Sequence, residues 1–69
     1  MSYQDGALQP AVKLLYTPAE VCSHLGLGRT VVYEFLRTGE LPSIRFGRAV
    51  RVAHEDLIAF IAARRGRGP

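Results

Sequence analysis

The chain has almost none of the hardware that catalysis or cross-linking needs. Its single cysteine, Cys22, excludes an internal disulfide framework and fits a reducing compartment. Zinc needs a cluster of ligands at short spacing. Besides carboxylates the chain offers only Cys22, His24 and His54, scattered without that spacing, so no metal is expected. No apolar run approaches the roughly 18 residues that span a bilayer, so no membrane partner is expected. Met1-Ser2-Tyr3-Gln4-Asp5-Gly6 has neither a basic start nor an apolar stretch after it, which does not read as a secretory signal. There is no phosphate loop, dinucleotide fingerprint or metalloprotease helix. The expectation is a cytoplasmic, non-enzymatic binding module with no cofactor and no small-molecule substrate.

Lysine is also scarce. Lys13 is the only one, against eight arginines, and the nine basic residues face six acidic ones for a net charge of +3. The charge is unevenly placed: residues 1–28 sum to −1 and residues 29–69 to +4. Positive charge crowded into one part of a 69-residue chain suggests a polyanion partner, although a merely solvated basic surface has the same composition. A chain of this length buries only about 60% of its unfolded surface, enough for one small core.

Residues 1–13 contain Gly6 and Pro10, show no sustained period, and read as a flexible arm ending in an extended piece at Lys13-Leu14-Leu15. The folded unit should occupy residues 14–64, with a basic flexible tail at 65–69. A first helix is marked by Thr17 as N-cap, Pro18 at the first helical position and Glu20 three residues after the cap. This is a capping box, with Tyr16 and Val21 placed to form a hydrophobic staple. Val21, Cys22 and Leu25 share a face, and Gly26 is a left-handed stop. A second helix runs from Arg29 to Thr38, with Val32, Phe35 and Leu36 as its apolar stripe and Gly39 as its stop. Two short helices joined by a tight glycine-containing turn suggest a helix-turn-helix; a generic helical hairpin is the alternative.

After Glu40-Leu41-Pro42 the apolar period becomes alternating. Ile44 and Phe46 flank Arg45, Val50 and Val52 flank Arg51, and Gly47-Arg48 marks a hairpin tip. A three-residue loop, Gly47-Arg48-Ala49, would pair Phe46 with Val50, Arg45 with Arg51 and Ile44 with Val52, keeping every apolar side chain on one face. That register opposes arginine to arginine, a destabilising pair whose missing negative charge a phosphate backbone would supply. Arginine's planar fork suits phosphate or the minor groove better than lysine does. A last helix follows from about His54 to Ala63, with Ala53 as a poor N-cap, Glu55 and Asp56 complementing its dipole, and Leu57, Phe60 and Ile61 as its buried stripe. Arg64, Arg65 and Arg67 read as part of a short basic tail that adds a weak, non-specific phosphate attraction.

Opposite its buried stripe the second helix carries Arg29, Tyr33 and Arg37 at steps of four, flanked by Thr30 and Glu34. In a major groove, Arg29 suits a bidentate contact to guanine and Thr30 a base or phosphate. Tyr33 either meets a phosphate or sugar or packs its ring on the hairpin. Glu34 either accepts from a cytosine amine or pairs with Arg37, which itself suits the backbone. Cys22 reads as a small core residue, and His24 and His54 as surface residues.

Taken together, Leu15-Tyr16-Thr17-Pro18-Ala19-Glu20-Val21, Leu25-Gly26-Leu27-Gly28-Arg29-Thr30-Val31-Val32-Tyr33, Gly39-Glu40-Leu41-Pro42, Ile44-Arg45-Phe46-Gly47-Arg48, Val50-Arg51-Val52 and Glu55-Asp56-Leu57 with Phe60 resemble the small excisionase-type helix-turn-helix proteins. The resemblance covers about residues 14–64. It implies the MerR-like winged helix-turn-helix: mainly α with a small β-hairpin, the second helix in the major groove and the hairpin wing on the backbone or minor groove. It implies double-stranded DNA as partner, bound through Arg29, Thr30, Tyr33 and Arg37 and through the wing arginines Arg45, Arg48 and Arg51. Excisionases assemble side by side on DNA, bend it and help a recombinase or integrase to excise; other members are small transcription regulators. The chain departs from the family at Gly28, where Ser is common, and at Val31 and Glu34, where a hydroxyl and a basic residue are common. At Ile58 a charged residue is usual, and an exposed isoleucine there would suit a protein contact. The expected function is an excisionase-like recombination directionality factor that is monomeric in free solution and self-associates on DNA. The alternatives are a transcription regulator and, more remotely, a basic protein-interaction module.

Overall fold

In a computed structural model, residues 13–65 are described. The elements run β1 (Leu15–Tyr16), α1 (Pro18–Leu25), α2 (Arg29–Thr38), β2 (Ile44–Phe46), β3 (Ala49–Ala53) and α3 (His54–Arg64). The helix-turn-helix, the hairpin and the C-terminal helix stand where the sequence puts them. The fold is a small winged helix-turn-helix.

Local chemistry sets the helix ends. The Glu20 backbone N–H donates to the Thr17 hydroxyl at 3.1 Å, and the Thr17 N–H donates to the Glu20 carboxylate at 2.8 Å, closing the capping box. Lys13 pairs with the same carboxylate at 2.9 Å. The Thr17 N–H first, and the Lys13 ammonium second, hold the Glu20 carboxyl below its ordinary value of 4.5. Gly26 ends α1 at φ 69°, where a Cβ would be strained, and its N–H returns to the Cys22 carbonyl at 2.8 Å. α2 and α3 start without side-chain caps, because Gly28 and Ala53 have no acceptor to offer.

The core is made of Tyr16, Val21, Val32, Leu41, Val52, Leu57 and Phe60, with Cys22, Leu25, Phe35 and Leu36 packed against it. Leu41 escapes a periodicity argument because it belongs to no regular element. Its N–H bonds the Phe35 carbonyl at 3.1 Å, which folds the chain back after α2 and buries the side chain completely. Ile61, expected in the buried stripe of α3, is instead 37% exposed. It stands at the rim of an apolar cleft that it lines with Leu25, Leu27, Phe35 and Phe60.

The hairpin belongs to a three-stranded antiparallel sheet of order β1-β3-β2. The extended piece before the first helix becomes its third strand, pairing Leu15 with Ala53 and Tyr16 with Val52. The Leu14 carbonyl accepts from the first amide of α3, His54 N–H, at 2.8 Å.

The hairpin register corrects the sequence expectation. The loop is the two-residue turn Gly47-Arg48, and the pairs are Ile44 with Arg51, Arg45 with Val50 and Phe46 with Ala49. Gly47, at φ 62°, supplies the positive φ that a tight hairpin needs at its first turn position. The single-face argument fails because β2 is exposed along its whole length. With no core beneath the strand, burial cannot choose between registers, and the turn does. Arg45 therefore does not oppose Arg51, and the inferred like-charge pair does not exist.

Candidate nucleic-acid interface

The rotation of α2 is fixed by its buried side, where Val32 is fully buried and Phe35 and Leu36 pack against the core. Arg29, Thr30, Tyr33, Glu34 and Arg37 are all exposed as a result. Tyr33 is 47% exposed. Glu34 and Arg37 form an ion pair, the guanidinium Nε donating to Oε1 at 3.2 Å and Nη2 bonding Oε2. An exposed pair one turn apart contributes only about 0.3–0.5 kcal/mol, so a phosphate can readily displace the carboxylate from Arg37. Val31, 43% exposed, also joins this surface. The sequence marks Val31 as a departure from the pattern of the family it resembles, not as a contact. The available signal was an apolar side chain one step outside the 32/35/36 stripe.

The hairpin carries a second group of arginines. Arg45 and Arg48 are exposed, and Arg51 is half-buried, its guanidinium Nη1 donating to the Val50 carbonyl at 2.9 Å. The register assigns them to both sides of the sheet. Arg51 shares a face with Ile44, Phe46 and Ala49, while Arg45 shares the opposite face with Val50 and the buried Val52. Residues 41–53 contain these three arginines and no acid.

The arginines at the end of the chain divide. Arg64 belongs to α3, not to a tail. Its guanidinium lies 4.0 Å from the Phe60 ring centroid and 4.9 Å from that of Phe35, and it donates to Glu40 at 2.7 Å. This stitches the end of α3 to the end of α2, a contact of about 0.5–1 kcal/mol at an exposed site. Arg65 is exposed just past the helix, and Arg67 lies outside the described residues. Ion pairs among the described residues thus join Lys13 to Glu20, Arg37 to Glu34 and Arg64 to Glu40. Arg29, Arg45, Arg48, Arg51 and Arg65 form no ion pair among the described residues.

The remaining candidates are structural. His54 is half-buried, its Nδ1 hydrogen-bonded to the Tyr16 hydroxyl at 2.9 Å, a tie between β1 and α3 that a surface assignment did not foresee. His24 is exposed and meets the Tyr16 ring edge-on at 5.2 Å between centroids. Cys22 is half-buried against the core. Among the described residues no group of three metal-ligating side chains converges, and no helix is long and apolar enough to cross a membrane. Ile58 stands 50% exposed on the outer side of α3, one turn from Ile61.

Relatives extend this picture. The chain is 42% identical over 40 residues to a protein of Saccharopolyspora erythraea named "Probable excisionase", an overlap of 58% of this chain and 41% of the relative. It is 41% identical over 44 residues to a protein of Mycobacterium tuberculosis named "Putative DNA-binding protein", present in two strains, covering 64% of this chain and 56% of the relative. The chain spans about half the length of these curated relatives. No solved structure matches it. The family model for a helix-turn-helix domain matches residues 15–65, from β1 through the residue that follows α3, and the chain belongs to that helix-turn-helix family.

Proposed function

We propose that residues 14–64 are a sequence-specific double-stranded DNA-binding domain, with α2 in the major groove and the hairpin against the adjoining backbone or minor groove. The observation that carries the reading is the pairing of two basic surfaces. One is the exposed Arg29-Thr30-Tyr33 face of a helix whose opposite face is buried, and the other is an acid-free hairpin bearing three arginines. Arg29 reads guanine, Thr30 and Tyr33 contact base, sugar or phosphate, and Val31 offers an apolar contact to a thymine methyl. Arg37, Arg45, Arg48 and Arg51 neutralise phosphates, and Arg65 and Arg67 add diffuse attraction. Glu34 serves mainly as the resident partner of Arg37.

The biological role that fits best is an excisionase-like architectural factor. It acts without catalysis in the cytoplasm at the nucleoid, assembles on DNA, bends it and assists a recombinase. The likeness to the S. erythraea protein supports this reading. A module of this size buries roughly 600–1,000 Å² on DNA, so tight occupancy calls for neighbouring copies. Ile58 and Ile61, side by side on α3, supply the apolar strip for such a contact or for the recombinase. The second reading, a transcription regulator, uses the same interface, and the M. tuberculosis likeness suits both.

The test is a footprint on DNA from the gene's own locus, with affinity followed against salt. A discrete footprint whose affinity falls steeply with salt is expected. Binding of a protein from the same host with no affinity for duplex DNA would instead favour a basic protein-interaction module. Stimulated excision by an adjacent recombinase identifies the architectural role; repression without it identifies the regulator.

A further inference from the structure

The hairpin register leaves an aromatic side chain outside the core and half exposed. Phe46 is the last residue of β2, beside the turn, and is 53% exposed; its cross-strand partner is Ala49, too small to cover a ring. Ile44, two residues away on the same face, is 38% exposed. This face does not rest on the core. Tyr16 and Val52 are buried on the other side of the sheet, and Phe46 alternates away from them. Single exposed apolar residues are ordinary, but this one stands at the tip of a narrow two-stranded arm, followed by Gly47 and Arg48. Arg51 shares its face, and no acid lies between residues 41 and 53. An apolar ring flanked by arginines, with no carboxylate between residues 41 and 53, repels no phosphate, and half of it is open to solvent.

We infer that Phe46 is an apolar wedge that the hairpin drives from the minor groove into a base step, with Arg48 and Arg51 holding the phosphates or groove walls on either side. This rests on the DNA-binding reading and adds a mechanism for bending. A wedged ring partly unstacks a step and kinks the duplex toward the major groove. The step beneath the tip should be a pyrimidine–purine step, since TA and CA steps unstack most readily. Ile44, further from the tip, lines the groove wall without entering the stack.

The chain has no tryptophan, so Phe46→Trp installs a single reporter at the tip. Titrated with short duplexes from the gene's own locus, its emission should be strongly quenched as the indole stacks. Phe46→Ala should reduce the bend, read by energy transfer between dyes at the duplex ends, by roughly 20° or more. Its salt slope should match wild type, because no phosphate contact is lost. An unchanged far-UV spectrum checks that each variant folds. If both variants bind DNA, and Trp emission is unaltered or the alanine variant bends as wild type does, the wedge is wrong while DNA binding stands. Loss of cooperativity in Phe46→Ala with an unchanged bend overturns it too, assigning the ring to a protein neighbour. If the wild-type chain binds no duplex, the underlying reading fails and the wedge fails with it.

Discussion

The helical body and the hairpin satisfy their side chains in opposite ways. In the body, apolar residues from β1, α1, α2, β3 and α3 converge on one core, and Glu20, Glu34 and Glu40 each hold a basic partner. In the hairpin, β2 is exposed throughout, its Ile44 and Phe46 are partly open to solvent, and residues 41–53 hold three arginines and no acid. The body closes its own core. The outer strand and tip of the hairpin are left incomplete, and what they lack, negative charge and an apolar-tolerant groove, is what a duplex offers.

This contrast is easiest to break with core and hairpin truncations side by side. Leu41→Ala, at a fully buried site, should cost about 2–5 kcal/mol in chemical denaturation. Ile44→Ala, in the exposed strand, should change stability by no more than about 0.5 kcal/mol. Equal losses would mean that β2 shares the core. Next in size is Arg29→Ala, which should lose about 1–3 kcal/mol of discrimination at one base pair, with little change in the salt slope. Uniform weakening over all sequences would make Arg29 a phosphate contact like those of the hairpin.

Smaller effects sharpen the account of the body. Thr17→Ala removes half of the capping box and should cost about 1 kcal/mol of stability. Conversely, Gly28→Ser should stabilise by a few tenths of a kcal/mol. The backbone there is extended, a Cβ meets nothing within 4 Å, and the new hydroxyl can cap α2. The smallest effect is electrostatic. Because the folded state holds the Glu20 carboxyl below 4.5, its stabilisation is present above that pH and fades as pH falls through the lowered folded value. Glu20→Gln should therefore flatten the acid limb of the stability profile in that window and leave its shape near neutrality unchanged.

The same contrast explains what could be read from sequence. The bounds of α1 and α2 follow from Thr17, Pro18, Gly26 and Gly39, because caps and left-handed stops act locally. The polar face of α2 follows from the 32/35/36 stripe because that stripe is buried. The same hydrophobic logic puts the hairpin register one residue off, since it presupposes a core beneath the strand. Arg64 read as tail because its partners, Glu40, Phe35 and Phe60, come together only in the tertiary fold. Tyr16 and His54, 38 residues apart, meet for the same reason.

The central claim is that the hairpin's uncompensated arginines are a phosphate-binding surface. It is tested most directly by comparing the salt dependence of duplex binding for wild type and for Arg45→Ala/Arg48→Ala/Arg51→Ala. If each arginine neutralises one phosphate, the slope of log K against log salt should shrink in magnitude by about 2.7, with weakening spread evenly over DNA sequences. A triple variant that folds and keeps the wild-type slope would contradict the claim.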